Sequence, residues 1–164
     1  MLFLLFHIDD SLYAIDTDSM IEIVSMVILS RVQSAPDYVA GMLNYHGAMV
    51  PTINLCRLLQ GTSCPPCYST RILVMRDRDA MAHPPRSPQS PRLFGLLAER
   101  VTETLRVAPD AEMTASMSRS PYMGDLLLTE KGLVQTIHWE RLLADTLLTL
   151  PVGEKDWGNG AGLH

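Results

Sequence analysis

Cys64 and Cys67, in the run CPPC, are the residues of this chain whose type and spacing come nearest to a reactive centre. The C-x-x-C spacing holds two thiols close enough to form a redox pair or to supply half of a zinc site. Completing either needs more. No second C-x-x-C exists to finish a zinc cage, and the two intervening prolines do not suit the strand-to-helix setting of a thioredoxin-like motif. The reading the residues favour is a surface loop carrying free thiols, with redox or metal chemistry at Cys64 and Cys67 as the alternative. Cys56 makes the cysteine count odd, and a chain read as intracellular is expected to carry no disulfide framework.

Other catalytic constellations are missing from the sequence. General acid-base or nucleophilic chemistry needs two or three partners in one pocket. His7, His46, His83, His138 and His164 are scattered, with no pair at i, i+4 spacing. Asp9 and Asp10 follow an apolar run as turn residues do, and Asp16 and Asp18, just before SMIEI, read as helix-start residues. No phosphate-cradling glycine loop or G-x-S-x-G elbow occurs. The expectation is a protein that is not an enzyme and needs no cofactor or metal.

The elements that would position any site are strands. Hydrophobic residues make up 47% of 164 residues and charged ones 19%, enough apolar material for a core and too little charge for a disordered chain. The net charge of -5 without a Lys/Arg cluster argues against nucleic acid or an anionic lipid surface as partner. The opening MLFLLFHIDD lacks the basic flank of an export signal, and no stretch approaches the length of a membrane span, so a cytoplasmic protein without direct membrane insertion is expected.

Along the chain, LFLLFHI, DDS and LYAI read as a hairpin, MIEIVSMVIL as a connector leading into a strand, and VAGMLNY-HG-AMVPTINL as a second hairpin with Gly47 at its tip. Pro51 cannot donate to a ladder and is expected at an edge or bulge, which would leave an exposed strand. Residues 77–92, with four prolines, read as a flexible insertion, and residues 151–164 as a flexible Gly-rich tail. A final helix from about His138 would bury Trp139, Leu142, Leu143, Leu147 and Leu150.

The two halves also resemble each other. VPTINLCRLL (50–59) shares Val, Thr, Ile, Arg, Leu and Leu with VQTIHWERLL (134–143), each after a hairpin tipped by Gly47 or Gly132. Leu12–Val24 can be laid on Leu93–Leu105, pairing Glu22 with Glu103. A repeat near 80 residues implies two small barrels, roughly the first and second halves of residues 1–150. Each is too small to be stable alone, so they should share one unit.

In order and spacing, IDTDSMIEIV, APDYVAGMLNYHGAMVPTINL, TRILVM, FGLLAERVTETLRV and YMGDLLLTEKGLVQTIHWERLL resemble the CheW family of chemotaxis coupling proteins. Pro36, Tyr38, Val39, Gly41, Asn44, Gly47, Pro51 and Leu55 fall on the family's pattern around the second hairpin. The resemblance implies an all-β fold of two interlocking five-stranded SH3-like barrels with short helices, including a C-terminal one. It implies a non-catalytic adaptor recruited to membrane-associated receptor arrays. Its partners would be the regulatory domain of a CheA-type histidine kinase and the cytoplasmic tip of a methyl-accepting chemoreceptor. Partner contact is then expected from Glu22, Ile23, Met26 and Ile28, and from Asn44, His46, Val50 and Pro51, with Gly41 and Gly47 as structural turn residues. A self-assembling structural role for the same fold is a further alternative. The family's arginine before the turn glycine is His46 here, and its acidic residue after the proline is Asn54. Those two family residues read as a possible charge pair lost together.

Overall fold

Apolar runs too short for helices and separated by turn residues form eleven strands among the described residues. The computed structural model describes residues 1–61, 69–77, 93–108, 110–111, 113–115 and 120–142. In chain order they are β1 (Leu2–Ile8), β2 (Ser11–Asp16), β3 (Met20–Ser25), β4 (Val39–Tyr45), β5 (Ala48–Asn54), helix α1 (Leu55–Gln60), β6 (Arg71–Arg76), β7 (Leu93–Ala98), β8 (Val101–Arg106), β9 (Met113–Thr114), β10 (Met123–Thr129) and β11 (Gly132–Ile137). They make two mixed sheets, one in the order β8-β1-β2-β11-β10-β9 and the other β3-β6-β7-β5-β4. The six-strand count of the first comes from the two-residue β9 at its edge.

The internal repeat is visible in the pairing. The parallel contact of β11 with β2, which sets Thr136 opposite Ala14, has its counterpart in β5 with β7, which sets Thr52 opposite Gly95. Likewise β1 runs antiparallel to β8 as β6 does to β3. The strands are exchanged, however. The β1–β2 hairpin lies among strands of the second half, and the β6–β7 hairpin among strands of the first. The barrels therefore interlock, and neither is built from one half of the chain, contrary to the simple division the repeat suggested.

Exchange leaves little of these strands exposed. Ile72, Leu73, Val74 and Met75 are all fully buried, so β6 is covered on both faces and reads as a continuous apolar run. The main core joins Phe6, Ile15, Ile53, Leu55, Phe94 and Leu96 to Trp139 and Leu142. A smaller cluster of Phe3, Leu5, Ala14, Leu127 and Val134 fills the first sheet's barrel. Trp139 and Leu142 begin the expected helical stripe, with residues 139–142 helical; Leu143, Leu147 and Leu150 lie outside the described residues. So do residues 78–92 of the proline-rich insertion and the 151–164 tail.

Three local readings change. Asp16 and Asp18 start no helix: Asp16 Oδ1 accepts the Asp18 N–H at 2.8 Å, an Asx turn that leads straight into β3. The supposed connector from Met20 is that strand. Cys56, at the start of α1, is disulfide-bonded, against the expectation of no disulfide. With three cysteines in the chain its partner is one of Cys64 and Cys67, both outside the described residues, so the two are not both free thiols as expected. The compartment argument says nothing of three cysteines within a dozen positions, where closure is entropically cheap.

Candidate partner-docking surface

β3 is the open edge of the five-stranded sheet, and its side chains set the character of the surface. Its inward residues Met20 and Val24 pack on the core, while Ile21 (40% exposed) and Ile23 (42%) remain in contact with solvent. The chain then leaves the sheet through Met26, Val27 and Ile28, the last fully exposed. Five large apolar side chains thus stand in water within eight positions, a density that marks contact surfaces on soluble proteins. The last three of them border an open cleft of about 850 Å³, lined also by Leu29, Val39 and Leu97 and by the polar Arg31, Asp37 and Asn54.

The β4–β5 hairpin faces β3 from the far edge of the same sheet. His46 (φ 49°) and Gly47 (φ 84°) both take left-handed backbone, the two-residue turn whose twist matches paired strands. Histidine is one of the few non-glycine residues found there with any frequency. Asn44 Oδ1 accepts the Gly47 N–H at 3.0 Å and braces the turn. The Tyr45 ring meets His46 edge-on, with centroids 4.5 Å apart and planes at 72°. Tyr45 also reaches across the barrel opening, where its hydroxyl donates a hydrogen bond to the Glu22 carboxylate. That bond, then partial burial, then the carboxylate's charge hold the phenol's pKa above its ordinary value, because each disfavours phenolate.

The expected contact residues separate on this frame. Glu22, Ile23, Met26 and Ile28 are exposed along β3 and its extension, and Asn44 and His46 are exposed at the hairpin. Val50 is not: only 1% exposed and opposite Leu43, it belongs to the core. Pro51 is half-buried on a strand that lies between β4 and β7, so the expected exposed edge does not exist. Proline is tolerated because the ladder to β7 begins one residue later, at Thr52. Gly41 sits in a β4 bulge and not in a turn: at φ 146° its missing Cβ would lie 2.6 Å from the Ser30 carbonyl oxygen. Nor do positions 46 and 54, where the family's arginine and acidic residue were read as a possible charge pair, lie together. Asn54 caps α1, its Oδ1 accepting the Arg57 N–H at 3.2 Å, at the opposite end of β5 from the turn. Seven extended residues put roughly 20 Å between those positions.

Two parts of the surface were missed in the sequence. Ile21 and Val27 flank the residues chosen and share their exposure. On the other sheet, Leu128 (70% exposed) and Leu133 (57%) face each other across β10 and β11, near Met113. DLLLTEKGLV held the signal, since strict alternation makes Leu127 and Val134 inward and leaves their neighbours outside. Among the described residues no group of three His, Cys, Asp or Glu could hold a metal ion, and no helix is long and apolar enough to cross a membrane.

The site is thus two exchanged barrels with apolar side chains displayed along an edge and beside a cleft. The CheW-like domain model matches residues 2–147, nearly the whole chain, and the chain belongs to that family. It is 34% identical over 106 residues to the chemotaxis protein CheW of Helicobacter pylori, a match covering 64% of this chain and 56% of that relative's length. The fold is similar to the crystal structure of the scaffolding protein TtCheW from Thermoanaerobacter tengcongensis, with a TM-score of 0.68 at 16% identity, covering 83% of this chain and 82% of that one.

Proposed function

We propose that this chain is a non-catalytic signalling adaptor that couples a methyl-accepting chemoreceptor to a CheA-type histidine kinase. The observation that carries this reading is the exposed apolar stripe of Ile21, Ile23, Met26, Val27 and Ile28, whose last three residues border an open cleft of mixed polarity, on a fold of the CheW-like family. Membership supplies the partner classes, and the stripe supplies the chemistry: an apolar face is offered to another protein, with Glu22 as its one acidic residue between two isoleucines. Such a protein would act in the cytoplasm, at receptor arrays. Residues 1–150 would form one functional unit of two barrels, and the partner-contact residues among those expected would be Glu22, Ile23, Met26, Ile28, Asn44 and His46.

His46 in place of the family's arginine replaces a fixed fork of donors with a ring packed on Tyr45. This favours a specialised pathway, such as surface sensing or biofilm formation, with its own receptor and kinase. The test is titration of the purified chain with the kinase regulatory domain and the receptor's hairpin tip from its native cell. Ile21→Glu and Ile23→Glu should each weaken at least one of these complexes by tenfold or more, the loss of about 1.4 kcal/mol, while the melting temperature stays close to that of the parent. Unchanged affinity in both variants would overturn the reading. Equally tight binding to a general chemotaxis receptor would refute the specialised pathway.

A further inference from the structure

The two barrels close their open edges in the same way with different chemistry. In one sheet the terminal strand β3 carries Glu22, and the hairpin at the opposite margin supplies the Tyr45 hydroxyl. In the other, the terminal strand β8 carries Glu103, and the β10–β11 turn supplies the Lys131 ammonium. The two glutamates are equivalent in the internal repeat, and their strands have the same alternation of exposure from end to end. The flanking residues differ: Ile21 and Ile23 on β3 correspond to Thr102 and Thr104 on β8. A clasp held by charge stands beside a polar strand, and a clasp held by a neutral donor beside an apolar one.

We propose that Tyr45 is a positioning residue for docking: through Glu22 it fixes β3 against the β4–β5 hairpin, and so fixes the Ile21 and Ile23 side chains in the orientation a partner meets. The docking part rests on the adaptor reading; the positioning part does not. Among the described residues β3 has a ladder on one side only, to β6, with a bulge between Met20 and Glu22, and no strand pairs with its other margin. The clasp supplies that restraint at the bulge. A tyrosine keeps it in place without a cation at the apolar stripe, and a bond from a neutral donor, with no opposite charge to be screened, depends less on salt than the Lys131–Glu103 pair.

The test uses the full chain with Tyr45→Phe and Tyr45→Lys. Amide hydrogen exchange at residues 21–25 is followed in the free protein, and affinity for a purified CheA-type regulatory domain and for a receptor hairpin-tip peptide is measured at low and high salt. Tyr45→Phe keeps the ring and its packing but removes the donor. It should speed exchange in β3 roughly five- to tenfold, the equilibrium worth of one hydrogen bond, and lower affinity by a similar factor. Tyr45→Lys imports the second barrel's solution and should restore both at low salt and lose both at high salt, a signature that aromatic packing alone cannot give. Parent-like exchange in Tyr45→Phe overturns the proposal, as does faster exchange with unchanged affinity. If the parent binds neither probe, the adaptor reading fails while the exchange data still decide whether Tyr45 positions β3.

Discussion

Thr52 lies directly against Gly95 across the parallel ladder of β5 and β7, its hydroxyl occupying the space where a Cβ on residue 95 would sit. Thr52 is fully buried, so it has nowhere to retreat. Gly95→Ala should therefore destabilise the protein by about 1–3 kcal/mol, the usual cost of overpacking a core. Thermal unfolding would show it, and Thr52→Ala added to Gly95→Ala should recover part of the loss. Equal melting temperatures for parent and Gly95→Ala would contradict this packing.

Asn54 offers a cleaner local test. Its side chain satisfies the Arg57 N–H at the start of a helix of only six residues. Asn54→Ala should cost about 1 kcal/mol, as cap removals do, whereas Asn54→Asp, which retains an acceptor oxygen beside the helix's positive end, should stay close to the parent. Urea unfolding of the two variants side by side would distinguish a cap from a recognition residue.

Titration of Tyr45 reports the clasp directly. Its hydrogen bond to Glu22, partial burial and the neighbouring negative charge all raise its pKa above the ordinary tyrosine value. A raised folded-state pKa means that the stabilisation is complete below the unfolded value near 10 and is lost as pH climbs through the folded value. Ultraviolet tyrosinate titration should show one phenol ionising late, and Glu22→Gln should bring it down toward the others. A titration curve identical in parent and variant would show that the pair does not persist in solution.

Trp139 is the largest fully buried side chain, and its indole N–H has no hydrogen-bond partner among the described residues. Replacing it with phenylalanine removes a buried donor that gains nothing, so Trp139→Phe should cost distinctly less than the roughly 3–5 kcal/mol expected of Trp139→Ala. Comparable losses in the two variants would show that the N–H is satisfied, for instance by a buried water.

The strands, the glycine-tipped hairpins and the repeat were legible because each depends on short-range pattern: alternation, turn chemistry and self-similarity. Val50 shows where that stops. Its neighbours Met49 and Pro51 are half-buried, and only the register with Leu43 fixes which side of the strand faces the core. Pro51 was misjudged for the same reason, since a proline rules out one backbone donor without saying where the adjacent strand begins. The supposed His46 and Asn54 pairing failed on distance along a strand. Glu22, expected to contact a partner protein, is exposed, but the residue it bonds within the chain is not legible in the sequence, because Tyr45 is brought to it only by closure of the barrel. Leu128 and Leu133 were overlooked because a run of three leucines reads as core until alternation divides it.

The exchanged hairpins carry a consequence for biosynthesis. β1 and β2 leave the ribosome well before β11, the strand that pairs with the far side of β2 and whose last residue is Ile137. That hairpin must therefore wait, apolar and incomplete, until translation has passed Ile137. Throughout that interval the far side of the hairpin is an unpaired strand edge, which is when a nascent chain is most open to misassembly.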